Sequence, residues 1–355
     1  MNRLPRGLSV RSSCRTSRQA PARAPIRSSW PTSLRSVALA IGGAIVGVGC
    51  VASLDGFVWN GRHCSTVDSA GFDCTAKDMC SQCGAPLPFE KYGVPTGLAV
   101  QHPIPLDDGA TNDAWFLPSD PTLGGPDRAQ LTVVFSHGNF GGLEHYMNRA
   151  ALLWKAGVNV FAVDYRGMGQ SSDENEPSEQ QFLADTAAAV RFLPTVLAAH
   201  GLPTDGKVIV AGYSAGALSA VAMATGDAAA PTCGLLLEAP WPSVQAFSDD
   251  STFIDVPGSF LANGAWDNNT RLATYTGPYL QLHGTNDDTV RIALGRETFG
   301  NVASVDKELA VVEGAAHGNY LGERGDGNKK DVAAVLGEDG YLDLVGAFFD
   351  RLSCR

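Results

Sequence analysis

The short run Lys207–Ala211 leads directly into Gly212-Tyr213-Ser214-Ala215-Gly216, and a helical pattern over Ala215–Thr225 follows at once. A serine between two glycines, at the junction of a strand and a helix, constrains this fold more than any other feature of the sequence. The turn is tight there: flanking glycines relieve clashes while the serine hydroxyl is presented beyond the strand end. A chance loop also fits the pentapeptide alone; its place between strand and helix argues against that.

The rest of the text supplies the alternation such a junction needs. Gly97–Pro103 and Asp113–Leu117 read as opening strands around the turn Asp107-Asp108-Gly109. Leu131–Ser136 and Val158–Asp164 are mostly apolar, as strands buried on both faces are, and Glu144–Lys155 between them has helical spacing. Gln180–His200 predicts a longer amphipathic helix that buries Phe182, Val190, Leu193 and Leu197, with Pro194 expected to kink or end it early. Strands at Gly234–Glu238, Pro278–His283 and Lys307–Val312, and helices at Thr289–Phe299 and Tyr341–Leu352, complete the series. The expectation is an α/β fold with a mostly parallel eight-stranded sheet flanked by helices. Residues 241–277 break the alternation and are expected as a short lid over the C-terminal strand ends, where open α/β sheets place their ligands.

A free serine hydroxyl is a poor nucleophile and needs a base. His317 is the candidate, in a loop of small residues after the last predicted strand. Its imidazole needs an acceptor on the far nitrogen, and Asp287, just after the strand Pro278–His283, supplies one. Asp288 is the fallback; helix capping ahead of Thr289 is the other use for either aspartate.

The order Ser214, Asp287, His317 is that of the α/β-hydrolases, and three further segments resemble that family. Phe135-Ser136-His137-Gly138-Asn139-Phe140-Gly141-Gly142 resembles its H-G-N-x-G loop, Asp164-Tyr165-Arg166-Gly167-Met168-Gly169-Gln170-Ser171-Ser172 its D-Y-R-G-x-G-x-S segment, and His283-Gly284-x-x-Asp287-x-x-Val290 its acid-bearing loop. The resemblance covers about 97–352 and implies an α/β-hydrolase fold. It also implies an oxyanion hole built from the N–H of Ala215 and that of Asn139, or alternatively Phe140. His137, Tyr165 and Arg166 are expected to shape and brace that loop. No segment resembles a cofactor site, and Asp326-Gly327-Asn328, too short for a calcium loop, reads as a turn.

The net charge of −11 is an average over two unlike parts. The first fifty residues hold eight arginines and no acid, so the remainder carries −19. An acidic body argues against nucleic acid as a partner. The uncharged run Ser36–Cys50 falls short of the roughly 20 residues that span a bilayer and suits the apolar core of an export signal. It ends Val-Gly-Cys, which resembles a bacterial lipoprotein signal with Cys50 as the lipidated residue, although Gly47 stands where a leucine-like residue is usual. A cleaved signal or short anchor fits as well.

Cys64, Cys74, Cys80 and Cys83 crowd into a polar stretch, and Cys233 and Cys354 stand apart. In an exported chain these six read as disulfides, with Cys233–Cys354 as one candidate pair; a zinc site around Cys80-x-x-Cys83 is the alternative. The expected organisation is an export leader over 1–50, a Cys-rich segment over 51–96 and a catalytic domain over 97–355.

These features predict a serine hydrolase of carboxylic esters acting on a small-molecule substrate without a cofactor, tethered to a membrane, if at all, through the leader or Cys50. The modest lid suits a small or medium acyl group, with Trp241, Phe247, Phe253, Phe260 and Trp266 as candidate pocket residues. An aminopeptidase or amidase is the enzymatic alternative, with Glu238, Asp249 and Asp250 as candidate amine partners. A binding protein that keeps the fold without catalysis is the alternative from another class.

Overall fold

Successive residues of the central strands point to opposite faces, and two separate apolar cores result. Val133, Phe135, Val160, Ala162, Ile209, Ala211, Leu280 and Leu282 face one core. Their neighbours Val134, Phe161, Val163, Val208, Val210, Leu235 and Leu237 face the other. A period of two with both sets apolar is what a sheet covered on both sides requires. The computed structural model describes residues 87–139, 141–172, 178–204, 207–226, 232–250, 264–318 and 329–354. The chain divides between Leu54 and Asp55 into two units, and the described residues all lie in the second.

The strands in chain order are β1 (Val100–Gln101), β2 (Ile104–Pro105), β3 (Thr111–Asn112), β4 (Ala114–Leu117), β5 (Thr132–Ser136), β6 (Asn159–Val163), β7 (Val208–Tyr213), β8 (Thr232–Glu238), β9 (Tyr279–Gly284) and β10 (Lys307–Val312). Eight form one sheet in the order β1-β4-β6-β5-β7-β8-β9-β10. The β1–β4 and β4–β6 pairs are antiparallel and the others parallel. The expected eight-stranded, mostly parallel sheet is therefore present. β2 and β3 form a small separate hairpin around Asp107-Asp108-Gly109, which shortens the first expected strand to two residues.

The helices are α1 (Pro121–Arg128), α2 (Met147–Lys155), α3 (Glu179–Ala199), α4 (Gly216–Thr225), α5 (Val244–Asp250), α6 (Asn268–Leu272), α7 (Ile292–Asn301) and α8 (Val332–Asp350). α2 and α8 cover one face with Ala150, Leu153, Trp154, Tyr341, Val345 and Phe348. α3 and α4 cover the other with Ala188, Leu193, Val196, Ala217 and Val221.

Two expectations need correction here. Pro194 does not end α3, which runs on to Ala199. The proline lies on the exposed side of the helix, where water can satisfy the carbonyl it leaves unpartnered. The segment expected as a lid is in part core. α6 packs against α4 and α7, Leu272 is fully buried, and Trp266 is buried edge-on against Phe182 of α3. Residues 251–263 of that segment, with Phe253 and Phe260, lie outside the described residues, as do 1–86 with Cys50, Cys64, Cys74, Cys80 and Cys83.

Register then places the site. β5 lies between β6 and β7, with Ser136 opposite both Val163 and Gly212. The chain winds in opposite senses on either side of β5, which makes its C-terminal end a switch point where loops diverge and leave a crevice. On the far side of β7, Tyr213 pairs with Glu238 and Glu238 with Leu282. The loops after β5, β7, β8 and β9 therefore emerge side by side.

Candidate active site

At the end of β7 the backbone turns through Ser214, whose φ is +53°. A non-glycine residue in that region costs about 1–2 kcal/mol, and such strain persists only where surroundings enforce it. The enforcement is visible. The Ser214 N–H donates to the Glu238 carbonyl at 2.9 Å, and α4 starts two residues later. A β-carbon on Gly212 would sit 2.7 Å from the Ala217 Cα, and one on Gly216 would overlap the carbonyl oxygens of Ser136 and His137. Both glycines of the pentapeptide are required by close backbone approach.

Ser214 Oγ lies 2.9 Å from His317 Nε2, and His317 Nδ1 lies 2.7 Å from Asp287 Oδ2. An ionised carboxylate only accepts, so Nδ1 carries the proton and Nε2 is left to accept from the serine hydroxyl. All three residues are buried, Ser214 being the most open at 8%. The two uses weighed for the aspartates fall on one residue. Asp287 Oδ1 accepts the N–H groups of Thr289 and Val290, which fixes the loop and aims Oδ2 at the imidazole. Asp288 instead meets Lys329 at the surface, 2.6 Å away. His283 lies beneath, with its Nε2 donating to the Val290 carbonyl at 2.8 Å. Burial holds its pKa below the ordinary value, so it stays neutral and serves as a fixed donor.

Ala215 occupies the N-terminal edge of α4, where helix N–H groups have no partner within the helix and face outward. Asn139 stands three residues past the end of β5, beside the same turn; Phe140 lies outside the described residues. His137 is fully buried, with Nδ1 donating to the Gly138 carbonyl at 2.7 Å and Nε2 2.7 Å from Asp164 Oδ1. It shapes the loop. Arg166 is bound to Asp185, with Nε donating at 2.7 Å, and to Asp108.

Acids concentrate behind this loop. Asp164 accepts the Leu143 N–H, and Glu144 accepts the Gly142 N–H at 3.0 Å. Burial, reinforced by the Asp164 charge, pushes Glu144 up to about 7 and Asp113 up to about 6.

Known proteins resemble this chain in sequence and in fold. A family model described as serine aminopeptidase, S33 matches residues 127–263. The uncharacterized protein YfhR of Salmonella typhimurium is 29% identical over 213 residues, 56% of this chain and 68% of that protein. The alpha/beta hydrolase domain-containing protein 17B of Xenopus laevis is 30% identical over 200 residues, 54% of this chain and 64% of its own. Among solved structures, a Pyrococcus furiosus esterase superposes with a TM-score of 0.55 at 19% identity, over 74% of this chain and 92% of that one. A soluble variant of the Saccharomyces cerevisiae monoglyceride lipase, in complex with a substrate analog, gives 0.52 at 18% identity, over 75% and 99%. The chain has the α/β-hydrolase fold.

Within this fold two candidate amine partners are already engaged by cations. Glu238 is bound by Arg149 at 3.0 Å, and Asp250 meets Arg291 Nε at 2.6 Å; Asp249 accepts from the Gln245 amide. Sequence reasoning passed over Arg149 and Asp331. The available signal was a charge among the apolar positions of α2, where Arg149 stands between Met147 and Ala150 and is buried with them. Cys233 and Cys354 are bonded to each other, as one candidate pairing had it.

Proposed function

We propose that this protein is a serine hydrolase that cleaves carboxylic esters through an acyl-enzyme. The hydrogen-bonded line Ser214 Oγ, His317 Nε2, His317 Nδ1, Asp287 Oδ2 carries the proposal. Oγ attacks the acyl carbonyl carbon while its proton passes to Nε2, and Asp287 stabilises the imidazolium. The developing oxyanion is met by the N–H groups of Ala215 and the Asn139 loop. Collapse expels the alcohol, which takes the proton from Nε2. Water, deprotonated by the same nitrogen, then attacks the acyl-enzyme and regenerates Ser214.

An amidase reading draws on the serine aminopeptidase match. The engagement of Glu238 and Asp250 by arginines counts against an amine anchor there and favours esters. Labelling with a fluorophosphonate tests the core of the proposal: Ser214 is modified in the wild type and nothing is modified in Ser214→Ala. An unlabelled wild type overturns it. Nitrophenyl esters of rising chain length, beside aminoacyl anilides, decide between ester and amide.

We also propose that the mature protein is exported, with 1–50 as leader, 51–96 as a Cys-rich segment and 97–355 as the catalytic domain. The Cys233–Cys354 bond supports this, because disulfides persist in oxidising compartments. Retention of all enzyme in the cytoplasm overturns export. Loss of detergent partitioning in Cys50→Ala tests the lipid tether.

A further inference from the structure

A buried cation near the site takes no part in the mechanism above. Arg149 projects from α2 and is 8% exposed. Its Nη2 donates to Glu238 Oε1 at 3.0 Å and to Asp331 Oδ2 at 3.1 Å. Its guanidinium lies flat over the Tyr213 ring, 3.8 Å from the centroid. Each of these partners belongs to a segment that carries or adjoins a reacting group. Tyr213 precedes Ser214, and its hydroxyl donates to the main-chain carbonyl of His317. Glu238 accepts the Ser214 N–H through its own carbonyl. Asp331 caps α8, accepting from the Ala334 N–H at 2.8 Å. Gly318, directly after the base, passes over the assembly: a β-carbon there would sit 3.3 Å from the Tyr213 hydroxyl and 3.4 Å from both Arg149 Nη2 and Asp331 Cβ.

One guanidinium faces two carboxylates in a buried site, and a single arginine satisfies both only through its planar set of donors. Buried ion groups of this kind are weak contributors to net stability, because desolvation offsets the attraction. Stability is therefore a poor reason for building one, and position is a better one.

We infer that Arg149 is a positioning residue for the hydrolysis proposed above, clamping the Ser214 turn and the His317 loop through Tyr213, Glu238 and Asp331. The inference rests on the serine-hydrolase reading. The charged and titratable groups around His317 are Asp287 and His283 from β9 and its loop, Tyr213 from β7 and Glu238 from β8. Behind them stand Arg149 from α2 and Asp331 and Tyr341 from α8.

The test compares wild type with Arg149→Met, Arg149→Gly, Glu238→Gln and Asp331→Asn, all checked for folding by circular dichroism. Arg149→Met is expected to lose about 100-fold in kcat, the scale of a misplaced reacting group, with KM nearly unchanged. Added guanidinium ion at non-denaturing concentration is expected to restore turnover in Arg149→Gly and not in Glu238→Gln. Glu238→Gln and Asp331→Asn are each expected to lower kcat with KM nearly unchanged. Where the Arg149 variants do not fold, that split between kcat and KM carries the test. A wild type that fluorophosphonate does not label overturns the hydrolase reading itself. A labelled wild type whose variants keep kcat within threefold, or lose it with an equal rise in KM and no rescue, overturns the role of Arg149 alone.

Discussion

Gly216 lies so close under Ser136 that the first turn of α4 and the last residue of β5 share no room for a side-chain carbon between them. This contact sets the serine turn directly beside the loop that begins at His137. Gly216→Ala must push one away from the other. Overpacking of this kind costs about 1–3 kcal/mol, and a displaced oxyanion donor costs about 100-fold or more in kcat. Thermal unfolding and the rate of fluorophosphonate labelling should both fall. Gly300→Ala is the control: a β-carbon there meets nothing within 4 Å, and alanine gains up to about 1 kcal/mol over glycine in a helix. Equal behaviour of the two variants would contradict the close-packing account.

Asp287 and Asp288 are adjacent and chemically identical, yet only one faces the imidazole. Asp287→Asn replaces the acceptor with a side chain that can force the wrong imidazole tautomer, for which losses near 10⁴-fold in kcat are the precedent. Asp288→Asn removes an exposed contact to Lys329, worth at most about 1 kcal/mol, and should leave kcat within twofold. Steady-state kinetics on a nitrophenyl ester decides; comparable losses in both would reassign the acid.

Why Asp287 was legible in the sequence and Arg149 was not follows from the range of the signals. Strand and helix boundaries here rest on local periodicity, and the Gly-Tyr-Ser-Ala-Gly turn, the His137 loop and the Asp287 loop all sit at strand ends that periodicity marks. Their convergence follows from a parallel sheet with β5 at its switch point. Arg149 acts through residues 89 and 182 positions away, and no local pattern reports such a pairing. The same holds for Glu238, a candidate amine partner in the sequence that Arg149 occupies in the fold. Part of the expected lid is core for a related reason: Trp266 and Leu272 sit among polar residues in sequence and are buried through contacts with α3 and α4.

Glu144 gives the protein a pH-dependent stability with a defined sign. Its carboxyl is raised in the folded state to about 7, first by burial and then by Asp164. The folded chain therefore holds this proton over a range in which the unfolded chain has released it. Its contribution is fully present below the unfolded value near 4.5 and is lost as pH rises through about 7. Glu144→Gln keeps an acceptor for the Gly142 N–H and removes the titration. The variant should exceed wild type in urea-unfolding free energy at pH 8, by of order 2 kcal/mol, with the difference shrinking toward pH 5. A constant difference across that range would contradict the assignment.

The bond between Cys233 and Cys354 closes a loop of 121 residues, and chain-entropy arguments assign such a loop about 4–5 kcal/mol at most. It joins the start of β8 to the residues after α8, where a β-carbon added to Gly234 would lie about 3.1 Å from both Phe348 and Leu352. Glu238 and the Ser214 turn lie at the opposite end of β8, so the bond holds the scaffold and leaves the reacting groups alone. Replacing both cysteines by serine should lower Tm by of order 10 °C, given about 2–4 °C per kcal/mol for domains near this size. At 25 °C the same variant should still be labelled by fluorophosphonate at the wild-type rate. Loss of labelling without loss of Tm would place the bond in the service of the site instead.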